Sequence, residues 1–264
     1  MKTADLKTLY KSIESKIAKH YPGISERRFL QQFTNFEIDE KTLTDKLLLG
    51  VPLEYITRSS FFYQSEFYVN EDVLIPRCET EILVEKAYHL SHRFKDENKK
   101  INVIDVGTGC GAIIASFAKI YEGEANYFAT DISQPALDIA IKNCIDLDIK
   151  FYKTDRFENI DETFDIILTN PPYIDYQSDR EKVHPQVDKY EPDVALYIKG
   201  SYGSWFETFL LQIKEKLNPG GFCLMEGHED RLKSLSKLAA ALGFAKSEII
   251  QDYTGVDRFL HLES

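Results

Sequence analysis

Residues 103–111 read Val103-Ile104-Asp105-Val106-Gly107-Thr108-Gly109-Cys110-Gly111, and this stretch limits the fold more than any other. An apolar strand ends in an acid and runs into three alternating glycines. A helical segment, residues 112–121, follows directly. Glycine in such a turn permits tight turning and a close approach of backbone to a ligand. The spacing is not the Gly-x-Gly-x-x-Gly of a dinucleotide turn, and no Gly-Lys-Ser/Thr follows to cradle phosphate. Further on, residues 127–131 read as another strand ending in an acid, Asp131. An acid there is placed to accept hydrogen bonds from ribose hydroxyls.

The same alternation runs on from residue 79. Helices are expected over 79–93, 111–121, 134–146, 203–217 and 230–242. Strands are expected over 102–106, 126–131, 149–153, 164–169 and 221–226, with two closing strands. That order implies a parallel sheet with helices on both faces. Strand 164–169 delivers Asn170-Pro171-Pro172-Tyr173 to its carboxyl end, where ligands bind in open α/β sheets. The Asn170 side chain offers a carbonyl acceptor beside NH2 donors. The two prolines have no N–H, so the backbone presents carbonyls, and Tyr173 adds an aromatic face. The set suits a flat amide or amine nucleophile that donates both hydrogens and stacks on the ring. The irregular span 174–202, with Tyr190-Glu191-Pro192, is more than a simple connection, and such loops are usually functional or mobile.

Upstream, residues 4–19 carry Leu6, Leu9, Tyr10, Ile13 and Ile17 at helical spacing. Ser25 is a cap for a second helix through about Gln32, and residues 41–49 read as a third, ended by Gly50-Val51-Pro52. Residues 61–69 read as a β-hairpin with Gln64-Ser65-Glu66 in or near its turn. The net charge is −11; residues 1–70 hold ten Lys/Arg against nine Asp/Glu, which leaves −12 on residues 71–264. An acidic remainder is a poor electrostatic footprint for nucleic acid. Cys78, Cys110, Cys144 and Cys223 have no metal-ligand spacing and read as buried, reduced thiols of a cytosolic protein. His89 and His92 share a helical face but read as solvated, so no metal site is expected. The first residues, Met1 to Lys7, lack the apolar core of a signal peptide, and no run approaches the ~18 apolar residues of a membrane span.

Joined together, the glycine loop, Asp131 and Asn-Pro-Pro-Tyr resemble a class I S-adenosylmethionine-dependent methyltransferase. Leu217-Asn218-Pro219-Gly220-Gly221-Phe222 resembles the turn before the fifth strand of that fold. Residues 62–81, from Phe62 through Pro76-Arg77 to Glu81, resemble the signature of HemK-type protein-(glutamine-N5) methyltransferases, which modify peptide chain release factors. Residues 50–57, Tyr190-Glu191-Pro192-Asp193-Val194-Ala195-Leu196 and residues 252–258 match further blocks, so the resemblance covers roughly residues 50–264. The family usually has proline where Cys78 stands, glycine at Arg58 and Gln64, and an aromatic or apolar residue at Arg156.

The resemblance implies a seven-stranded, Rossmann-like α/β methyltransferase domain over 76–264, a helical N-terminal domain over 1–58 and a hairpin linker over 59–75. It implies that Gly107, Thr108, Gly109, Cys110 and Gly111 wrap the methionine and ribose of S-adenosylmethionine, with Asp105 near its amino group. Asp131 would take the ribose, Asp155 and Arg156 would flank the adenine, and Asn170 would reach the cofactor as well as the acceptor. Asn170, Pro171, Pro172 and Tyr173 would hold a glutamine of the release factor's Gly-Gly-Gln loop. Asn170 Oδ1 and the Pro171 carbonyl would accept the two amide N–H bonds, and Tyr173 would stack on the amide. A monomer acting in the cytoplasm is expected. The competing readings are a glutamine methyltransferase of a ribosomal protein, an adenine-N6 nucleic-acid methyltransferase, which flips its base, and a non-catalytic module that keeps the cofactor pocket.

Overall fold

Helices α1 (Thr3–Ile17), α2 (Glu26–Phe33), α3 (Glu40–Leu49) and α4 (Leu53–Thr57) open the chain, in a computed structural model that describes residues 3–34, 36–95 and 100–264. Met1 and Lys2 of the leading stretch lie outside the described residues. The five apolar residues spaced along α1 are all buried, against Phe29 and Phe33 of α2 and Leu43 and Leu47 of α3. Ser25 caps α2 by accepting the Arg28 N–H, and Asp39 caps α3 by accepting that of Thr42. Gly50 ends α3 at φ +77, the left-handed stop that glycine adopts without strain. Helix α4 is not foreshadowed by the Gly50-Val51-Pro52 punctuation. The Pro52 carbonyl accepts from Tyr55 and Ile56 and so starts a new turn.

Strands β1 (Ser59–Phe62) and β2 (Ser65–Tyr68) pair antiparallel with Phe62 opposite Ser65. The turn is therefore Tyr63-Gln64, with Gln64 in it and Ser65-Glu66 directly after it, as expected. A two-residue hairpin needs positive φ to follow the strand twist, and Tyr63 and Gln64 sit at +51 and +122. Gln64 and Arg58, at φ +59, are the positions where the resembling family has glycine. An L side chain there costs about 1–2 kcal/mol. Gln64→Gly is expected to stabilise the protein by about 1 kcal/mol, since glycine's added unfolded-state entropy offsets part of the relief. A higher urea midpoint at unchanged slope would show it.

The larger unit contains α5 (Glu81–Lys95), β3 (Ile101–Val106), α6 (Ala112–Ile120), β4 (Ala125–Asp131), α7 (Gln134–Asn143), β5 (Ile149–Lys153) and β6 (Phe164–Thr169). The span after β6 folds into β7 (Ile174–Asp175), α8 (Pro185–Tyr190), α9 (Asp193–Leu196) and β8 (Tyr197–Ile198). Then come α10 (Tyr202–Lys216), β9 (Leu217–Glu226), α11 (Leu232–Ala241), β10 (Lys246–Gln251) and β11 (Asp257–Glu263). Seven strands form one sheet in the order β10-β11-β9-β6-β3-β4-β5. The sheet is mixed rather than all parallel: β11 runs against both β9 and β10. The reason is the short turn between β10 and β11, far shorter than a crossover to a parallel strand requires. Asp252 builds that turn by accepting the Thr254 and Val256 N–H groups.

Successive strand residues face opposite sides, and the sheet uses both. Val103, Ile166, Leu168 and Leu224 pack under α5 and α6, whereas Ile104, Ile167, Cys223 and Met225 pack under α10. Strand β6 is buried along its whole length. Its Asp165 carboxylate accepts the Asn102 N–H and the Asn218 side-chain amide, which explains a buried charge in a central strand. The helical unit touches the sheet unit through α8. Gln186 Nε2 donates to the Gly50 carbonyl at 2.8 Å and the Tyr190 hydroxyl to that of Leu49 at 2.7 Å. Among the described residues no helix is long and apolar enough to cross a membrane.

Candidate active site at the reversal of strand order

Chain progression from β3 runs outward to β4 on one side and to β6 on the other, so a crevice opens at their carboxyl ends. A cavity of about 290 Å3 lies there. Gly107, Thr108, Gly109 and Cys110 form one wall, Asp131, Asp155 and Arg156 another, and Asn170, Pro171 and Pro172 a third. The two motifs, about sixty residues apart in the chain, thus face one space. Asp105, Gly111 and Tyr173 do not line it; they stand behind its walls.

The glycine loop is held from below. The Gly107 and Thr108 N–H groups both donate to the Thr130 carbonyl, and Gly109 N–H donates to Asp131 Oδ2 at 2.9 Å. Gly107 and Gly109 sit at φ +74 and +55, and a Cβ at either would stand in open space, so a ligand can lie directly on the backbone. Asp131 also accepts the Ser133 N–H, yet each of its oxygens keeps a lone pair for a hydroxyl. Asp105 is fully buried; Oδ2 accepts the Thr108 hydroxyl at 2.7 Å and Oδ1 has no hydrogen-bond partner. Its place is therefore under the loop.

Burial pushes the Asp105 carboxyl up to about 7, against the opposing Thr108 hydroxyl. The unfolded chain releases that proton near pH ~4, so the folded state binds more protons between the two values. Stability contributed by Asp105 is thus present below pH ~4 and lost as pH rises towards about 7. Asp105→Asn is expected to flatten this decline, and unfolding midpoints measured across that range would show it.

Where the resemblance implies an adenine, Arg156 folds back on Asp155, with Nε–Oδ1 at 3.0 Å and Nη2–Oδ2 at 3.2 Å. Its guanidinium lies 5.2 Å from the Trp205 ring centre, and Nη1 is buried without a partner. A planar cation stacked on an aromatic replaces the aromatic or apolar residue expected there and keeps the wall flat.

Asn170 Nδ2 donates to Thr80 Oγ1 at 3.3 Å, and Thr80 Oγ1 donates to Glu226 Oε2 at 2.6 Å. The Tyr173 hydroxyl donates to Glu226 Oε1 at 3.3 Å. Thr80 and Glu226 are 3% and 1% exposed. Thr80 lies inside the matched block 62–81 but has no role assigned there, and Glu226 falls in none of the motifs. Glu226 is the last residue of β9, whose Met225 pairs with Thr169, so the neighbouring strand brings it beside Asn170. The long loop contributes Glu191, which accepts from Arg77 Nη2 at 2.6 Å and from the Ile75 N–H. Two matched blocks, residues 62–81 and 190–196, thus meet in one partly buried ion pair that spacing alone cannot reveal.

A second, open groove of about 820 Å3 shares Pro76 and Arg77 with the cavity. Arg28, Gln31 and Gln32 of α2, Phe61 of the hairpin and Gln186 of α8 border it. Phe61 is 71% exposed. Cys78 is exposed on the same rim, against the expectation of four buried thiols; it opens the 3-10 turn ahead of α5, where no side chain packs inward until Thr80. The other three thiols are buried. The hairpin is clipped to the glycine loop by Asn143: its side chain pairs with both backbone polar groups of Tyr68 and donates to the Cys110 carbonyl at 2.8 Å. Among the described residues no cluster of His, Cys, Asp and Glu is set to hold a metal ion.

Residues 81–187 match the Methyltransferase small domain family. A release factor glutamine methyltransferase of Leptospira interrogans is 38% identical over 80% of this chain and 74% of its own length. That of Francisella tularensis is 32% identical over 92% and 84%, and that of Bacillus subtilis 34% over 79% and 74%. The chain belongs to the release factor glutamine methyltransferase family. Solved structures at lower identity share the fold: the hMettl16 catalytic domain, at 17% identity, covers 74% of this chain and 73% of its own with a TM-score of 0.56. A methyltransferase from Pyrococcus furiosus, at 18% identity, covers 74% and 87% with a TM-score of 0.51. The seven-stranded sheet is accordingly that of a class I methyltransferase.

Proposed function

We propose that this chain transfers the methyl group of S-adenosylmethionine to the side-chain nitrogen, N5, of a glutamine in a peptide chain release factor. The observation that carries the reading is the single cavity that joins the open glycine loop to Asn170 and Pro171, in a chain of this family. Gly107 to Cys110 and Asp131 would hold the amino-acid and ribose parts of the donor, and Asp155, Arg156 and Trp205 the adenine. The donor supplies an electrophilic methyl on a sulfonium.

The residues of the chain do the rest. An amide nitrogen is a poor nucleophile because its lone pair is delocalised into the carbonyl. Asn170 Oδ1 and the Pro171 carbonyl accept its two N–H bonds and aim it at the methyl. The same two oxygens stabilise the positive charge that develops on nitrogen. Orientation of this kind supplies on the order of 7–11 kcal/mol. Tyr173 stands behind the wall with its hydroxyl on Glu226, so its contribution is to shape the acceptor site. No base is needed before transfer; the proton leaves afterwards.

The release factor would approach along the open groove, a monomer of this enzyme meeting it in the cytoplasm. Phe61 is the exposed aromatic on that path. Phe61→Ala is expected to raise KM for intact release factor about tenfold, with kcat and cofactor affinity unchanged. An unaltered KM would remove the groove from the binding path. The function itself is tested by incubating the parent enzyme with labelled cofactor and release factor, ribosomal proteins or DNA. One added methyl on a release-factor glutamine, located by mass spectrometry, is the expected product; label in ribosomal protein or DNA alone would overturn the reading.

A further inference from the structure

We propose that Thr80 and Glu226 are positioning residues of the methyl-transfer site, which together fix the Asn170 amide with its carbonyl oxygen facing the acceptor. The inference rests on the function proposed above only for what the acceptor is; the orientation follows from hydrogen-bond polarity. A carboxylate can only accept. Glu226, buried at the end of β9, accepts the Thr80 hydroxyl proton through Oε2 and that of Tyr173 through Oε1. Thr80 has one proton and has spent it on Glu226, so towards Asn170 it offers only a lone pair. The Asn170 group at 3.3 Å from it must therefore be the NH2. Oδ1 is then turned to the other side of the amide, where among the described residues it has no partner. A reversed amide would set an N–H against the N–H donors of the acceptor and leave two oxygens facing each other at Thr80.

The arrangement makes Glu226 ionisation matter. Burial raises its carboxyl, while the Thr80 hydroxyl, Arg258 on β11 and the Tyr173 hydroxyl oppose that rise and Glu79 adds to it. Arg258 is itself paired with Asp252. A protonated Glu226 has to donate one of its two contacts. If it donates to Thr80, the hydroxyl proton turns to Asn170 and the amide reverses. The sequence gives no hint of this relay, because its members are 90 and 146 residues apart along the chain.

Thr80→Val keeps the shape and removes the hydroxyl. In this variant kcat on release factor is expected to fall about tenfold, with KM and the affinity for S-adenosylhomocysteine within about twofold of the parent. Thr80→Ser should recover kcat, since it restores the hydroxyl. In an Asn170→Ala background Thr80→Val should cause no further loss, because the group it positions is gone. Glu226→Gln should lower kcat and remove an acid limb present in the parent pH profile. A readout without substrate keeps the orientation separate from the function: the Asn170 side-chain NH2, assigned in 15N spectra by its loss in Asn170→Ala, should exchange slowly in the parent and fast in Thr80→Val. Parental kcat and parental exchange in Thr80→Val, or an equal further loss in the Asn170→Ala background, would overturn the proposal. If the parent methylates no release factor, the functional reading fails and the exchange measurement still decides the orientation.

Discussion

Asn170→Ala is expected to lower kcat on release factor by about 10²–10³, the usual loss when one oriented contact to developing charge is removed. Cofactor affinity should hold, since the glycine loop and Asp131 are untouched. Asn170 directly follows the fully buried β6, and Thr169, the last residue of that strand, ties its end to β3 through a hydroxyl donated to the Val106 carbonyl at 2.7 Å. The backbone is therefore kept in place when the side chain is cut back. Asn170→Asp keeps an acceptor but loses the NH2 that meets Thr80 and adds a negative charge near Glu226. Its activity is expected to lie above that of the alanine variant and below the parent. Initial rates at saturating cofactor and acceptor, with the product located by mass spectrometry, check both. A parental rate from Asn170→Ala would exclude the acceptor geometry argued here.

Gly111→Val is expected to carry the largest stability cost of the loop, about 3 kcal/mol, from left-handed strain and overpacking together. Gly111 sits at φ +84, and a Cβ there would lie 3.0 Å from Cys144 Sγ and 3.3 Å from the Ala140 Cα on α7. Two of the three atoms it would meet belong to Ala140, one of them backbone, rather than to the far end of a flexible side chain. Gly109→Val meets nothing within 4 Å, so it pays the backbone strain but not the collision. Its side chain would stand where a ligand lies on the loop. The two variants should therefore separate: Gly111→Val by a lower denaturation midpoint, Gly109→Val by lost S-adenosylhomocysteine affinity in calorimetry. Equal midpoints, or an unchanged affinity in Gly109→Val, would contradict the assignment of the loop.

The strand–loop–helix pattern was legible because each element is fixed by local chemistry. Periodicity marks the buried faces of α1 and β6, and Ser25 marks a helix start. Glycines and prolines mark the two motifs that line the cavity. What was not legible is what depends on partners distant in the chain. Glu226 is an ordinary strand-end acid until β9 lies beside β6, and Thr80, though inside the matched block 62–81, gives no sign of the partners it will meet. Asp105 reads as a ligand-facing acid, but its strand register turns it under the loop. The part of Tyr63 in the hairpin turn is not legible because Tyr63 and Gln64 carry positive φ without the glycine that usually signals it. The reversed β11 was missed because strand direction follows from connection length, which the alternation of elements does not encode.

That reversed strand has a consequence in time. Strand β10 joins the sheet only through β11, which is made after it, and of these two strands only β11 pairs with β9. During synthesis β10 therefore emerges with α11 to lie against, through Ser236 and Ser247, but with no strand to pair with. It must wait for β11, pair with it locally, and enter as a hairpin that closes against β9. Closure of that edge is a late step, and until it happens β9 offers an open rank of backbone donors and acceptors to any other strand nearby. Slow passage through the residues of β10 and β11 would lengthen that exposure, and with it the window in which a nascent chain is caught by a chaperone or by a second copy of itself.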